Sequence, residues 1–152
     1  PPRSTLFPYT TLFRSPVDPR SLMQGDYMIL DYEVNRAILA NIKEDETSQR
    51  DTIKGFAVIK KDKNNVGTFV KIYNSNDKLA PNEFLVIFKY SSYRVSIGAK
   101  SFFFQEGHAK FYNEASYGEL KISSSGKTLL VGLRGKDLEL IKTEEKTEEK
   151  KD

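Results

Sequence analysis

The 152-residue chain contains no cysteine, no tryptophan and only one histidine, His108. The lack of cysteine excludes disulfides and thiolate metal sites, but it does not fix the compartment, because many exported bacterial domains also lack cysteine. A Ser-His-Asp arrangement would have to use His108, and the chain has no nucleophile-elbow sequence. We therefore predict a domain without catalytic residues, bound metal or cofactor.

Long apolar runs are also missing, and the excess of positive charge is small. No stretch reaches the 18 or so apolar residues of a membrane-spanning helix. The formal net charge is +3 with a pI near 9.0, and it falls to +1 without Arg3 and Arg14 of the N-terminal segment described next. Aromatic residues do alternate with Lys89 and Arg94, as in sheets that bind single-stranded nucleic acid. The near-neutral charge nevertheless argues against a nucleic-acid partner.

The first fifteen residues, "PPRSTLFPYTTLFRS", match no class of leader peptide. They have neither the continuous apolar region of a secretory signal nor the amphipathic arginine-rich face of a transit peptide. Back-translation gives a DNA sequence that resembles a standard short-read sequencing adapter in one continuous frame. We interpret residues 1–15 as translated adapter that is not native, the alternative being a disordered native N-terminus. The expected single β domain then covers residues 16–142 of a truncated fragment.

Most of the remaining sequence has the two-residue period of β-strands. "YGELKISS" and "KTLLVGLRG" flank a turn that contains Gly126, and "GFAVIKK" and "TFVKIYN" flank the turn "DKNNVG". "EFLVIFKY" is apolar on both faces, which predicts a central strand covered on both sides, and "DLELIK" is expected to be the last strand. The sequence therefore predicts a mainly β fold, an antiparallel barrel or sandwich of about 8–9 short strands.

Two further segments have a helical pattern, and the C-terminal segment has neither a helical nor a strand pattern. "NRAILANIKEDE" predicts a short helix, and "EGHAKFYNEA" predicts one or two helical turns. Residues 143–152 are a low-complexity charged segment that cannot bury enough apolar surface to become ordered, so we predict a disordered tail.

The stretch "PVDPRSLMQGDYMILDYEV" is the most distinctive in the chain. Asp18 and Asp26 suit turns in which a carboxylate accepts backbone N–H bonds. On a regular strand, Tyr27 and Tyr32 point to opposite faces, whereas Leu30 and Tyr32 share one face. The stretch resembles a family named for its Gly-Asp-Tyr-x-x-Leu-x-Tyr motif, the GDYXXLXY family. The matching positions are Asp18, Pro19, Arg20, Gly25, Asp26, Tyr27, Leu30 and Tyr32.

Later segments extend this resemblance to residues 16–140. "FFQEG", with Phe103, Glu106 and Gly107, is similar to the family's Phe-x-x-Glu-Gly element, and "LLVGL" is similar to its C-terminal strand. The resemblance implies an uncharacterised bacterial protein with a single-pass N-terminal anchor and a domain on the periplasmic side of the cell membrane. It also implies a multi-span membrane protein as partner. The anchor would be missing from this fragment.

From the resemblance and the lack of a catalytic set, we predict a non-enzymatic accessory module. The alternative is a hydrolase or small-ligand binder that uses the loop between Asp18 and Asp26. Asp31 and Glu33 extend this acidic cluster, and a buried pair of carboxylates can act as general acid and base. We expect instead that Asp18 and Asp26 shape turns and that Asp31 and Glu33 lie on the outer face of a strand. Arg20 either pairs with Asp18 or Asp26 or binds a partner through its guanidinium group.

Glu106 and His108 are the one pair of nearby residues that resembles part of a metal site, but further ligands would have to come from scattered carboxylates. We therefore expect a solvated loop histidine. A deep apolar pocket near Tyr27 with two convergent carboxylates would favour the hydrolase or ligand binder. A shallow surface would favour the accessory module.

Overall fold

The computed structural model describes residues 7–15, 23–24, 27–42, 52–98 and 101–142, and only the backbone at 23–24. These residues form antiparallel sheets, one α-helix and one 3₁₀ helix, which confirms the mainly β prediction. In chain order the elements are β1 (Tyr9–Arg14), β2 (Met23–Gln24), β3 (Tyr27–Ile29), α1 (Glu33–Asn41), β4 (Ile53–Lys61), β5 (Gly67–Ile72), β6 (Glu83–Ser91), β7 (Arg94–Ser96), β8 (Ser101–Phe103), the 3₁₀ helix (Ala109–Tyr112), β9 (Tyr117–Ile122) and β10 (Thr128–Arg134).

The strands are arranged in three sheets with the orders β1-β9-β10, β2-β3-β8 and β5-β4-β6-β7. The first and third sheets meet where the Leu12 N–H donates to the Asn65 carbonyl oxygen at 2.8 Å, beside a parallel bridge between Leu12 and Val66. At the far edges, the Thr128 hydroxyl donates to the Ile97 carbonyl oxygen at 2.6 Å. The two sheets therefore form a half-barrel. On its open side, β10 and the residues after β7 lie close together, and we call this place the seam.

The predicted hairpins owe their turns to residues that tolerate unusual backbone angles. Gly126, between β9 and β10, has φ +88°, and Asn65, between β4 and β5, has φ +64°. In the second turn, the Asp62 carboxylate accepts the Asn64 N–H at 2.7 Å and the Val66 N–H at 3.0 Å. These local bonds satisfy backbone groups that the sheet leaves free.

Two strand predictions need correction. "DLELIK" is a turn and not a strand, since Leu138 has φ +66° and only Leu140 makes a bridge, to Arg134. The strand β6 is central, between β4 and β7, but only one of its faces is fully covered: Phe84 and Val86 are buried, whereas Leu85 and Ile87 are half-buried.

Helix α1 lies over the half-barrel and contacts β1, β5 and β7. Its inward residues Val34 and Ile38 are buried in the core. The helix begins at Glu33, two residues before the predicted segment. The extended Tyr32 precedes it, and its carbonyl oxygen accepts the Asn35 N–H at 3.0 Å. Within the described residues, no helix is long and apolar enough to cross a membrane.

Strand β1 pairs with β9 and lies in the segment that the sequence interpretation set aside. Thr11, Leu12 and Phe13 are all buried. Through this strand, β9 gains an antiparallel neighbour along its whole length. The domain range of 16–142 stays a prediction. A strand's position does not tell which DNA encoded it, so the adapter interpretation stays a prediction. Residues 16–22 and the tail at 143–152 lie outside the described residues.

Candidate functional site

The small sheet β2-β3-β8 joins two motif elements that are far apart in the sequence. β3 and β8 are antiparallel neighbours in which Tyr27 lies opposite Phe103 and Met28 lies opposite Phe102. The ring centroids of Tyr27 and Phe103 are 5.9 Å apart. Tyr27 of the Gly-Asp-Tyr motif and Phe103 of the Phe-x-x-Glu-Gly element therefore lie side by side.

The outer face of this sheet exposes apolar side chains to solvent. Phe103 is 73% exposed, Ile29 is 39% exposed and Tyr27 is half-buried. Since alternate residues of a strand share a face, Tyr27 and Ile29 stand on the same side as Phe103. We call these three residues the outer patch.

The inner face attaches the sheet to the rest of the domain. Met28 is fully buried, and the Phe102 ring packs edge-on against Tyr112 with centroids 5.1 Å apart. The Phe104 ring lies 5.4 Å from Tyr112. Burial raises the pKa of Tyr112. Aromatic rings therefore pack against the inner face of the sheet that carries the outer patch on its other face.

The other described motif residues, Leu30 and Tyr32, belong to the core. They follow the end of β3 and are 3% and 1% exposed. The Tyr32 ring meets Phe13 edge-on at 6.2 Å and also covers Gly118. Burial raises the pKa of Tyr32 far above its ordinary value. These two positions are therefore part of the hydrophobic core.

The Glu106–Gly107 pair forms a turn directly after β8. Gly107 has φ +82°, and the His108 N–H donates to the Gln105 carbonyl oxygen at 2.9 Å. A turn with positive φ at its third residue favours glycine there, which explains Gly107. The Glu106 side chain is exposed.

A cavity of about 350 Å³ lies beside this turn, lined by Phe103, Phe104, Gln105, His108 and Tyr112. No carboxylate is among these lining residues. His108 is half-buried and packs edge-on against Phe111, with ring centroids 5.3 Å apart, so it is less solvated than expected. No group of three metal-ligating side chains occurs in the part of the chain that the structure describes.

The two described carboxylates of the acidic cluster form surface ion pairs. Asp31 accepts a hydrogen bond from Arg36 at 3.0 Å, and Glu33 lies 3.3 Å from Arg14. Both flank the start of α1, so the expectation that they lie on the outer face of a strand is wrong: the strand ends at Ile29. The remaining predicted site residues lie outside the described residues; they are Asp18, Pro19, Arg20, Gly25 and Asp26.

Sequence reasoning missed the exposure of Phe103. In "SFFFQ" a two-residue period places Phe103 opposite Phe102 and Phe104, but the period alone does not tell which face is buried. The pairing of β8 with β3 decides this, and that contact is not local in sequence.

The family model of the GDYXXLXY protein matches residues 9–133, from β1 into β10. No curated protein and no solved structure is significantly similar to the chain.

Proposed function

Because the chain belongs to the GDYXXLXY protein family, we propose that it is the extracytoplasmic domain of a membrane-anchored, non-enzymatic accessory protein. Its outer patch binds an extracytoplasmic surface of a multi-span membrane protein. The bacterial location, the anchor and the kind of partner come from the family resemblance, in which members are encoded beside or fused to such proteins.

The exposure of Phe103 on the sheet built by both motif elements is the observation that supports this role most. Burying a phenylalanine side chain contributes about 1.5–3 kcal/mol, so a ring that is 73% exposed leaves much of this stabilisation unused. Aromatic anchors that become buried contribute most to many protein interfaces. Tyr27 beside it adds an aromatic surface with a polar end.

The chemistry next to the patch favours binding over hydrolysis. The adjacent cavity is lined mainly by aromatic rings, and the described carboxylates nearby are exposed or held in ion pairs. A hydrolase or ligand-binding role would depend on Asp18 and Asp26. The experiment below distinguishes this second role from the accessory role.

The test is capture of the multi-span protein encoded beside the gene, using the full-length protein in detergent. We expect Phe103→Ser to weaken capture by about tenfold or more, as for an interface hot spot. Its free energy of unfolding should fall by no more than about 1 kcal/mol, because the exposed side chain loses only its cross-strand contact with Tyr27. Phe56→Ser is the matched control, since Phe56 is also a partly exposed phenylalanine but lies on β4.

Equal capture by the Phe103→Ser variant would overturn the role of the outer patch. Capture that survives Phe103→Ser but is lost with Arg20→Ala and Asp26→Ala, in proteins that still fold, would move the recognition site to the loop. A ligand that requires Asp26 while capture is unchanged would favour the hydrolase or small-ligand binder.

The anchor has its own test in the source DNA. We expect the bases upstream of the codon for Pro16 to encode an apolar run of about 20 residues with basic residues before it. A genome that encodes "PPRSTLFPYTTLFRS" at this place contradicts both the adapter interpretation and the proposed anchor.

A further inference from the structure

The seam of the half-barrel contains a second cleft, of about 470 Å³, on another part of the surface from the outer patch. Ile87 and Ile97 form its apolar floor, and Lys54, Lys89 and Lys127 stand around it. We call it the seam cleft. No acidic residue is among its lining residues.

Three lysines bring positive charge to the lining of the seam cleft. Lys54 on β4 and Lys89 on β6 lie directly opposite each other. Like charges in this arrangement destabilise a sheet. Among the residues that the structure describes, neither these two nor Lys127 forms an ion pair. The fold therefore keeps a local repulsion that a bound anion would relieve.

Hydrogen bonds between distant segments fix the walls of the seam cleft. The Ile87 N–H donates to the Gly126 carbonyl oxygen at 2.9 Å, and the Thr128 hydroxyl donates to the Ile97 carbonyl oxygen. A Cβ at Gly126 would lie 3.1 Å from Ile87 Cγ1, so the absence of a side chain there allows the hairpin turn to approach β6 closely. The cleft is thus already formed in the free protein.

We propose that the seam cleft binds one molecule of an amphiphilic anion, a carboxylate or phosphate head with an apolar chain. Its volume lies in the range of about 300–1,000 Å³ that is typical of ligand sites. The chain would cover the isoleucine floor, where removal of apolar surface from water is favourable. The head would lie among the lysine ammonium groups, which bind phosphates as point charges.

The first experiment is calorimetric titration of the full chain with monomeric dodecyl phosphate. Inorganic phosphate supplies the head alone, and dodecyl maltoside supplies the chain with a neutral head. We expect dodecyl phosphate to bind at least about tenfold more tightly than either, and to weaken as salt is raised. Equal binding of dodecyl maltoside would refute the role of the lysines. Binding to phosphatidylglycerol vesicles with no saturable binding of the monomer would refute a site for a single molecule.

Substitutions at the rim then locate the site. We expect Lys54→Gln and Lys89→Gln each to weaken dodecyl phosphate binding by about threefold to fivefold, as for one partly exposed charge. Lys60→Gln is the matched control on the same strand, roughly 20 Å from Lys54 at the usual rise per residue, and it should leave affinity unchanged.

Loss of folding cannot explain the expected result, because removal of one of two opposed lysines should maintain or raise the melting temperature. Unchanged affinity in a Lys54→Gln/Lys89→Gln double variant would overturn the proposal. An equal loss in the Lys60→Gln variant would do the same.

Discussion

Gly118 lies in β9, the central strand of the β1-β9-β10 sheet, and the ring of Tyr32 occupies the space above it. A Cβ at this position would lie 2.9 Å from Tyr32 Cε1 and 3.1 Å from its hydroxyl oxygen. The ring is 1% exposed and packs edge-on against Phe13, so it has little room to move away. We therefore expect Gly118→Ala to destabilise the domain.

Two opposing effects set the size of the loss. Overpacking of a well-packed core costs about 1–3 kcal/mol. Replacing a strand glycine by alanine recovers about 0.5–1 kcal/mol, because the unfolded chain loses conformational freedom. The expected net loss is therefore up to about 2.5 kcal/mol in the free energy of unfolding.

Urea denaturation measures this loss, provided that the slope m does not change. Gly132→Ala is the matched control in the neighbouring strand β10, where a Cβ would meet its closest neighbours at 3.5 and 3.7 Å. This variant should keep its stability or gain up to about 1 kcal/mol. In a Tyr32→Leu background, Gly118→Ala should lose most of its cost. A stable Gly118→Ala together with a destabilised Gly132→Ala would refute the packing of the motif tyrosine.

Three further predictions follow from burial. Leu30→Ala should cost about 2–5 kcal/mol in a core position. Ile29→Ala on the outer patch should cost clearly less, about 1 kcal/mol, because the side chain is only partly buried. Thermal unfolding of both variants checks this difference. In the unfolded chain Tyr32 ionises near pH 10.0, whereas in the folded protein burial keeps it neutral. The free energy of unfolding should therefore hold below pH 10 and fall above it. For this one group the fall is up to about 1.4 kcal/mol per pH unit. Above pH 10 the free energy of unfolding should fall less steeply in the Tyr32→Phe variant. An identical slope in both proteins would contradict this role of Tyr32. Thr11→Val should raise the free energy of unfolding by about 1 kcal/mol, because the buried Thr11 hydroxyl has no hydrogen-bond partner in the described residues; a loss in urea denaturation would contradict this.

Local patterns were sufficient to predict the hairpins. β9 and β10 follow the alternation of the sequence, and the turn between them falls at Gly126. The junction of β1 with β5 through Leu12 and Asn65 was not predictable, because no periodicity specifies which edges of two sheets meet. The half-barrel therefore depends on contacts that are distant in sequence.

The motif shows the same limit within a single stretch. The sequence identified Tyr27, Leu30 and Tyr32 as a set but could not assign roles to them. The structure divides the set because β3 ends at Ile29, so Leu30 and Tyr32 enter the core while Tyr27 pairs with Phe103 on the outside. The motif thus combines two core residues with one residue at the surface of the same domain.

Strand β1 shows what a position in a sheet requires of its sequence. The place between β9 and β5 needs an extended segment with apolar side chains, and Leu12 and Phe13 meet this need. It also needs buried hydroxyls to be paired, yet those of Thr11 and Ser15 have no partner among the described residues, at a cost of about 1–3 kcal/mol each. Unpaired buried polar atoms also occur at Asn35 and Arg134, so they do not distinguish β1 from the rest of the fold. The buried strand is compatible with the adapter interpretation, because this position in the sheet requires an extended segment with apolar side chains, whatever DNA encoded it.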